Sequence, residues 1–251
     1  MVLIPWLLLV SDRPETAKWL DKRERDYITG KLEEEKESLS QGPKQIASLK
    51  EVLRNGTMIK LIVLNFCYQC GIYGFGLWLP SLLKNLTHSG MNQIGWLSAL
   101  PYVGCAIGML FVAQVSDKTG RRKPFIVIPL IGFALCLLLS VKLSSMIWVS
   151  YAFLVGCGFF LQAAAGVFWT IPPRLFSPEV AGGARGVING IGNLGGFAGP
   201  YLVGLLIQMY NYDVGIYGLV VLLVVGAALT ISLPSSIDEE VKTEQTAPAT
   251  H

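Results

Sequence analysis

Six stretches of nearly unbroken apolar residues dominate the chain, at 58–83, 95–115, 125–143, 146–171, 187–209 and 214–233. Each reaches the roughly 20 residues that a helix needs to cross the hydrocarbon core of a bilayer. The pattern predicts an all-α membrane protein with six transmembrane helices over 58–233. Ahead of them, residues 11–57 are polar and dense in charge of both signs. Ser11-Asp12-Arg13-Pro14 reads as a helix start with Asp12 as a possible cap, and helical spacing continues to about Ser38. Ser40-Gln41-Gly42-Pro43 interrupts it, and residues 47–55 then read as a short amphipathic helix suited to the membrane surface, with Leu49, Val52 and Leu53 on one side. Residues 1–10 are apolar but too short to span, and are expected to be the end of a preceding helix. Residues 234–251 are polar, acidic and rich in Thr, Ala and Pro, and are expected to form a disordered tail.

Composition supports this division. The chain is 52% hydrophobic and 15% charged, against about 25% charged for a soluble domain. Ten of the 20 basic and ten of the 17 acidic residues fall within 11–57, so the 194 residues from Met58 on are too poor in charge to face water. The basic residues also set an orientation. With residues 11–57 in the cytoplasm, 17 Lys and Arg lie inside and only Lys84 and Lys142 outside, with Lys60 at the boundary. Both termini are then cytoplasmic. A net charge of +3 without basic–aromatic interleaving gives nucleic-acid binding no support. Cys67, Cys70, Cys105, Cys136 and Cys157 all lie in apolar runs and read as small helix residues, not as a metal or redox site. No cofactor is implied.

Polar groups inside the spans are few and patterned. Asn65, Gln69 and Tyr73 recur every four residues along one face of the first span. Gln162 and Trp169 lie seven apart in the fourth, and Asn189 and Asn193 four apart in the fifth. Amides facing lipid are costly, so these faces turn to a protein interior or an aqueous cavity. There they serve either as interhelical hydrogen bonds or as partners for the hydroxyls and carboxylate of a small solute. Trp169, near a helix end, reads equally as an interfacial anchor. Gly104-x-x-x-Gly108, Gly186-x-x-x-Gly190, Gly192-x-x-x-Gly196 and Gly195-x-x-x-Gly199 permit close helix contact, for packing or for helices that rock. Gly182-Gly183 with Pro172, Pro173 and Pro178 reads as a bent loop. Asn85-Leu86-Thr87 is a sequon that chance explains. No Asp, Glu, Arg or His lies inside a predicted span, and no Ser/His/Asp, paired-Asp or His-rich cluster supports an intramembrane enzyme.

The short basic loop Asp117-Lys118-Thr119-Gly120-Arg121-Arg122-Lys123 allows Asp117 to pair with Arg121 or Arg122. It resembles the G-x-L-x-D-R/K-x-G-R-R/K signature of the major facilitator superfamily, with Ala113 and Val115 in place of the first Gly and the Leu, a departure that suits the copy in the second half of that fold. Asp12-Arg13-Pro14-Glu15, Tyr73-Gly74-x-x-x-Trp78-Leu79-Pro80, Phe168-Trp169-Thr170-Ile171-Pro172 and the run from Gly186 through Asn189, Gly192, Asn193, Gly195 and Gly199 to Pro200 resemble its anion:cation symporter branch, nearest to tartrate and sugar-acid transporters. The resemblance covers the chain but only the C-terminal half of that fold. It implies a lobe of a secondary transporter for a small organic anion, with a missing N-terminal six-helix half as partner, protons as coupling ion and the bacterial inner membrane as location. It implies a gate of Asp117, Arg121 and Arg122, and solute contacts at Asn65, Gln69, Tyr73, Gln162, Trp169, Asn189 and Asn193. An inactive truncated remnant or a membrane scaffold is the competing expectation. Because titratable groups at depth lie mainly in the other half of that branch, this chain alone is not expected to carry out coupled transport.

Overall fold

A computed structural model describes residues 19–40, 54–87 and 90–238, together with Pro14, Ala17 and Glu51. The expectations for residues 1–10, for Asp12, for most of the surface helix at 47–55 and for residues 239–251 lie outside these. The chain divides into two units, Met1–Gln45 and Ile46–His251.

In the first unit a helix, α1, runs over Lys22–Ser40. It starts later than the Ser-Asp-Arg-Pro pattern suggested. Ahead of it Ala17 N–H donates to Pro14 O and Leu20 N–H to Ala17 O. The Asp21 carboxylate accepts from Lys22 N–H at 2.7 Å, and Glu24 reaches back to Asp21 N–H at 3.3 Å. This reciprocal arrangement resembles a capping box and fixes the helix start where Pro14 does not. Arg25 donates to Ala17 O at 3.1 Å and ties the turn to the helix.

Among the described residues, the second unit contains six spans, each a single helix or a run of helical pieces, long and apolar enough to cross a membrane. The first span is α2, Gly56–Thr87; the second is α3, Met91–Thr119; the third is α4, Pro124–Lys142. The fourth is built of α5, Ile147–Leu161, and two single turns, α6, Ala165–Phe168, and α7, Pro172–Leu175. The fifth is α8, Pro178–Gly192, followed by α9, Gly195–Met209. The sixth is α10, Tyr212–Ile231. The spans fall where the apolar stretches lie; α2 and α3 extend beyond theirs at both ends, whereas α4 and α10 end short of the expected limits at their C-terminal ends. Gly182 and Gly183, expected in a bent loop, are helical, because Pro178 starts α8 and the buried Ala181, Ala184 and Ile188 give that helix an apolar stripe. The chain after Leu233, expected to be irregular, makes a 3-10 turn over Ser235–Ile237.

The first span is the axle of the bundle. α2 packs on α8, α9 and α10, α4 lies between α5 and α10, and α3 rests mainly on α5. Leu64, Phe75, Leu79 and Leu83 of α2 meet Phe133 and Leu137 of α4 and Leu219 and Leu223 of α10 in one buried cluster. Phe75 and Phe133 meet edge to face at 5.6 Å. Leu223 and Leu219 fit notches left by Gly71 and Gly74, where an added Cβ would come within 2.8 and 2.7 Å of them. At other crossings the close approach is backbone to backbone. A Cβ on Gly108 would strike the backbone of Phe159, and one on Gly158 that of Pro101. Gly195 and Gly199 stand likewise against the backbones of Phe66 and Cys70 in α2.

The spans are not equally covered. About 56% of the apolar stretch of α2 is buried, against 17% for α3 and 22% for the fifth span, so these two present the open side of the bundle. Gly186 and Gly190 have nothing within 4 Å of an added Cβ and lie on that side. Gly158→Ala is therefore expected to force α3 from α5 and lower stability by about 1–3 kcal/mol, whereas Gly186→Ala leaves it within about 0.5 kcal/mol. Thermal unfolding in detergent, followed by tryptophan fluorescence, checks both.

Candidate functional site

Two spans break at mid-depth, and both breaks hold residues that the sequence pattern singles out. α5 ends at Leu161, and Gln162, with φ −117° and ψ 4°, leaves the helix before α6 begins. The Leu161 carbonyl accepts from the Tyr68 hydroxyl of α2 at 2.8 Å, so this break is satisfied from the neighbouring span. In the fifth span α8 stops at Gly192, and Asn193 and Leu194 bridge to α9. In hydrocarbon an unpaired backbone group costs several kcal/mol, so irregular backbone at depth is tolerated only inside protein or beside a water-filled cavity.

At the second break three amides form a ladder. Gln69 Nε2 donates to Asn193 Oδ1 at 2.6 Å, and Asn193 Nδ2 donates to Asn189 Oδ1 at 2.7 Å. Asn189 and Asn193 are exposed on the open side of the bundle. Gln69 Oε1 and Asn189 Nδ2, an acceptor and a donor, have no partner among the described residues. Asn65, one turn below Gln69, is separate from the ladder. It is buried and donates to Ile188 O at 3.0 Å, locking α2 to α8.

Above the ladder, α2 carries a ridge of Tyr73 and Leu77 with a hollow on each side. One, of about 320 Å³, brings Tyr73 and Gln162 together with Tyr102 and Cys105. The other, of about 510 Å³, is walled by Phe197 and Tyr201, whose rings stack at 5.6 Å and 14°. Gly196 lets the Tyr73 ring lie against α9, since a Cβ there would stand 3.0 Å from it. Trp78, also on this wall, donates to Pro200 O at 3.2 Å. No lining residue of either hollow is charged.

The structure thus joins Gln69, Asn189 and Asn193 directly, and Tyr73 with Gln162 in one hollow. It does not bring Trp169 to them. That ring packs edge to face on Phe168 at 5.0 Å, and its carbonyl accepts from Arg185 at 2.7 Å. Tyr102, Phe197 and Tyr201 were not among the residues the sequence singled out. The i, i+4 spacing of Phe197 and Tyr201 was a legible signal; Tyr102 sits in an apolar run with none.

At the basic end, Gly120 adopts a left-handed conformation, φ 66°, that closes α3 with its N–H on Ser116 O. The Asp117 carboxylate pairs with Arg122 at 2.6 Å, and Arg122 also donates to Ser116 Oγ at 3.0 Å. Of the two partners open to Asp117, Arg122 is the one used. Arg121 lends its carbonyl to Ser116 Oγ at 3.0 Å.

The ladder has an energetic signature. Double-mutant cycles over Gln69→Leu and Asn193→Leu are expected to give a coupling of about 0.6 kcal/mol, with about 1.7 kcal/mol as ceiling. Reversible unfolding in mixed micelles measures it, and zero coupling would mean the two amides do not meet.

The family model of the Major Facilitator Superfamily matches residues 61–250. A "Quinolone resistance transporter" of Acinetobacter baumannii is 27% identical over 241 residues, covering 96% of this chain and 55% of that protein. The "Putative tartrate transporter" of Agrobacterium vitis is 30% identical over 236 residues, 93% of this chain and 53% of that protein. An inner membrane transport protein of Escherichia coli (strain K12) is 28% identical over 230 residues, 91% and 51%. The chain spans about half the length of these curated relatives. It belongs to the Major Facilitator Superfamily and is a multi-pass membrane protein.

Proposed function

We propose that this member of the Major Facilitator Superfamily is one six-helix lobe of a two-lobed secondary transporter, whose solute is a small organic anion of the tartrate or sugar-acid kind. The observation that carries this reading is the amide ladder Gln69–Asn193–Asn189, set at a helix break on the open side of the bundle. Lipid gives such groups nothing to bond, so a second lobe and a solute account for them. The half-length match and the tartrate-named relative support the same reading.

In this mechanism the solute sits between the lobes near mid-depth. Gln69 and Asn189 bond its hydroxyl and carboxylate oxygens, Tyr73 and Gln162 close one side, and Asn65 and Trp169 hold the frame. The lining of this lobe is uncharged, so the counter-charge and the proton-binding group belong to the other lobe. Rocking of the lobes exposes the site alternately to each side. Asp117 and Arg122 form and break their pair as the cytoplasmic face closes and opens, with Arg121 as their neighbour. Residues 11–57 serve as the linker between lobes.

The basic end is the cytoplasmic one. Lys118, Arg121, Arg122, Lys123, Arg174 and Arg185 belong to that end and Lys84 and Lys142 to the other, which supports a reading with both termini on the cytoplasmic side of a bacterial inner membrane. Green fluorescent protein fused after His251 is expected to fluoresce, and alkaline phosphatase fused at Thr87 to be active. The reverse result overturns the topology.

Uptake tests the function. Membrane vesicles carry either this chain alone or this chain joined to the part of the Agrobacterium relative that it does not match. Gradient-dependent uptake of labelled tartrate is expected from the fusion and none from the chain alone. Asn193→Leu or Gln162→Leu is expected to cut uptake at least tenfold, the loss of about 1.4 kcal/mol. No uptake of any organic anion by a correctly inserted fusion favours an inactive remnant or scaffold.

A further inference from the structure

The sixth span ends at Ile231, yet the chain stays on the bundle. Leu233 is 4% exposed and Ile237 is fully buried. Donors from separate points of the basic end grip this short segment. Lys60 Nζ, at the start of α2, donates to Ser232 O at 2.8 Å. Lys123 Nζ donates to Leu233 O. Arg174 donates to Ile237 O at 3.1 Å. The segment finishes with Asp238, whose Oδ1 accepts from Arg122 N–H at 2.6 Å and Lys123 N–H at 3.1 Å.

Those two amides stand just ahead of α4. That helix begins with Pro124, which has no N–H, and its N-cap position, Lys123, makes no side-chain cap. A residue more than a hundred positions away in sequence thus satisfies amides that a local Ser or Asp would ordinarily take. A carboxylate also suits the positive end of a helix. The same Arg122 gives its guanidinium to Asp117 and Ser116. It is held by its backbone on one side and by its side chain on the other.

We propose that Asp238 is a positioning residue for the Asp117–Arg122 pair. It fixes the loop between the second and third spans through two backbone amides, and so couples the chain after the sixth span to the signature loop. Asp117 reaches Arg122 only while that loop is set, so changes at Asp238 reach the pair without touching it. The consequence for transport rests on the gate reading above. The test measures the loop itself, so its failure would leave that reading standing.

The full chain in nanodiscs is compared as wild type, Asp238→Ala, Asp238→Asn, Asp117→Asn and Asp213→Asn, by residue-resolved amide exchange and limited trypsin cleavage. Asp238→Ala is expected to speed exchange at Arg122 and Lys123 about tenfold or more, and cleavage after Arg121 and Arg122 several-fold, with α2 and α10 unchanged. Asp238→Asn keeps an acceptor oxygen and is expected to retain much of the protection. Asp117→Asn frees the guanidinium but leaves the Arg122 amide protected, and Asp213→Asn, at the other end, changes neither readout. Wild-type exchange at Arg122 and Lys123 in Asp238→Ala overturns the proposal. So does loosening spread evenly over the bundle, or an Asn variant as loose as Ala.

Discussion

Inside a bilayer the surroundings offer no hydrogen bonds, and that one constraint organises this bundle. A continuous helix meets it unaided, and a broken one must borrow. The fourth span breaks after Leu161, and Tyr68 reaches across to its carbonyl. The fifth breaks at Asn193, whose side-chain oxygen accepts from Gln69 while its backbone amide stays on Asn189 O. Asn65 and Trp78 bond carbonyls of Ile188 and Pro200 on either side of that second break. All four donors lie on the first span. The most buried helix is therefore also the one that satisfies the discontinuities of its neighbours, and its polar residues fix the register of the bundle as its leucines fix the packing.

The bundle is built differently on its two sides. Where α2 meets α4 and α10, large side chains fill glycine notches, and Phe75 on Phe133 completes the seam. Such a seam has one good register and resists sliding. The open side carries amides, stacked aromatic rings and glycines with no neighbour. Its groups are polar but uncharged. An amide held open at mid-depth costs less than an ion there, and it accepts and donates equally. A surface of that kind can be wetted, dried and wetted again without a change of protonation.

The six spans were legible because length and hydropathy alone decide what crosses a bilayer. Asn65, Gln69 and Tyr73 were legible as one face because a four-residue repeat is helical. Their different fates were not. Asn65 is sealed at Ile188, Gln69 enters the ladder and Tyr73 lines a hollow, which depends on where α8 stops. The break at Gln162 had no mark in the sequence, since Gln162-Ala163-Ala164 contains neither Gly nor Pro. Gly182-Gly183 erred in the other direction, because glycine permits a bend without requiring one. The placing of Ile237 and Asp238 was hidden for a further reason. Pro234-Ser235-Ser236 after a span looks like the start of a tail, and tertiary contacts with Arg122, Lys123 and Arg174 give the residues that follow a site.

The glycine run of the fifth span shows how one motif serves two surfaces. Gly192, Gly195 and Gly199 are consumed by α2, where a side chain at each would collide with Asn65, Phe66 or Cys70. Gly186 and Gly190 have the same spacing and lie in the same span, yet nothing in this lobe approaches them. Small-residue spacing thus permits a close contact without requiring one. A glycine without a neighbour in a helix of low burial loses backbone entropy and gains no packing inside the lobe. In the proposed two-lobed carrier, a surface that meets it from outside supplies the compensation. In a two-lobed carrier that surface meets it in only some conformations, and a smooth patch without protruding side chains lets the contact form and part with little rearrangement.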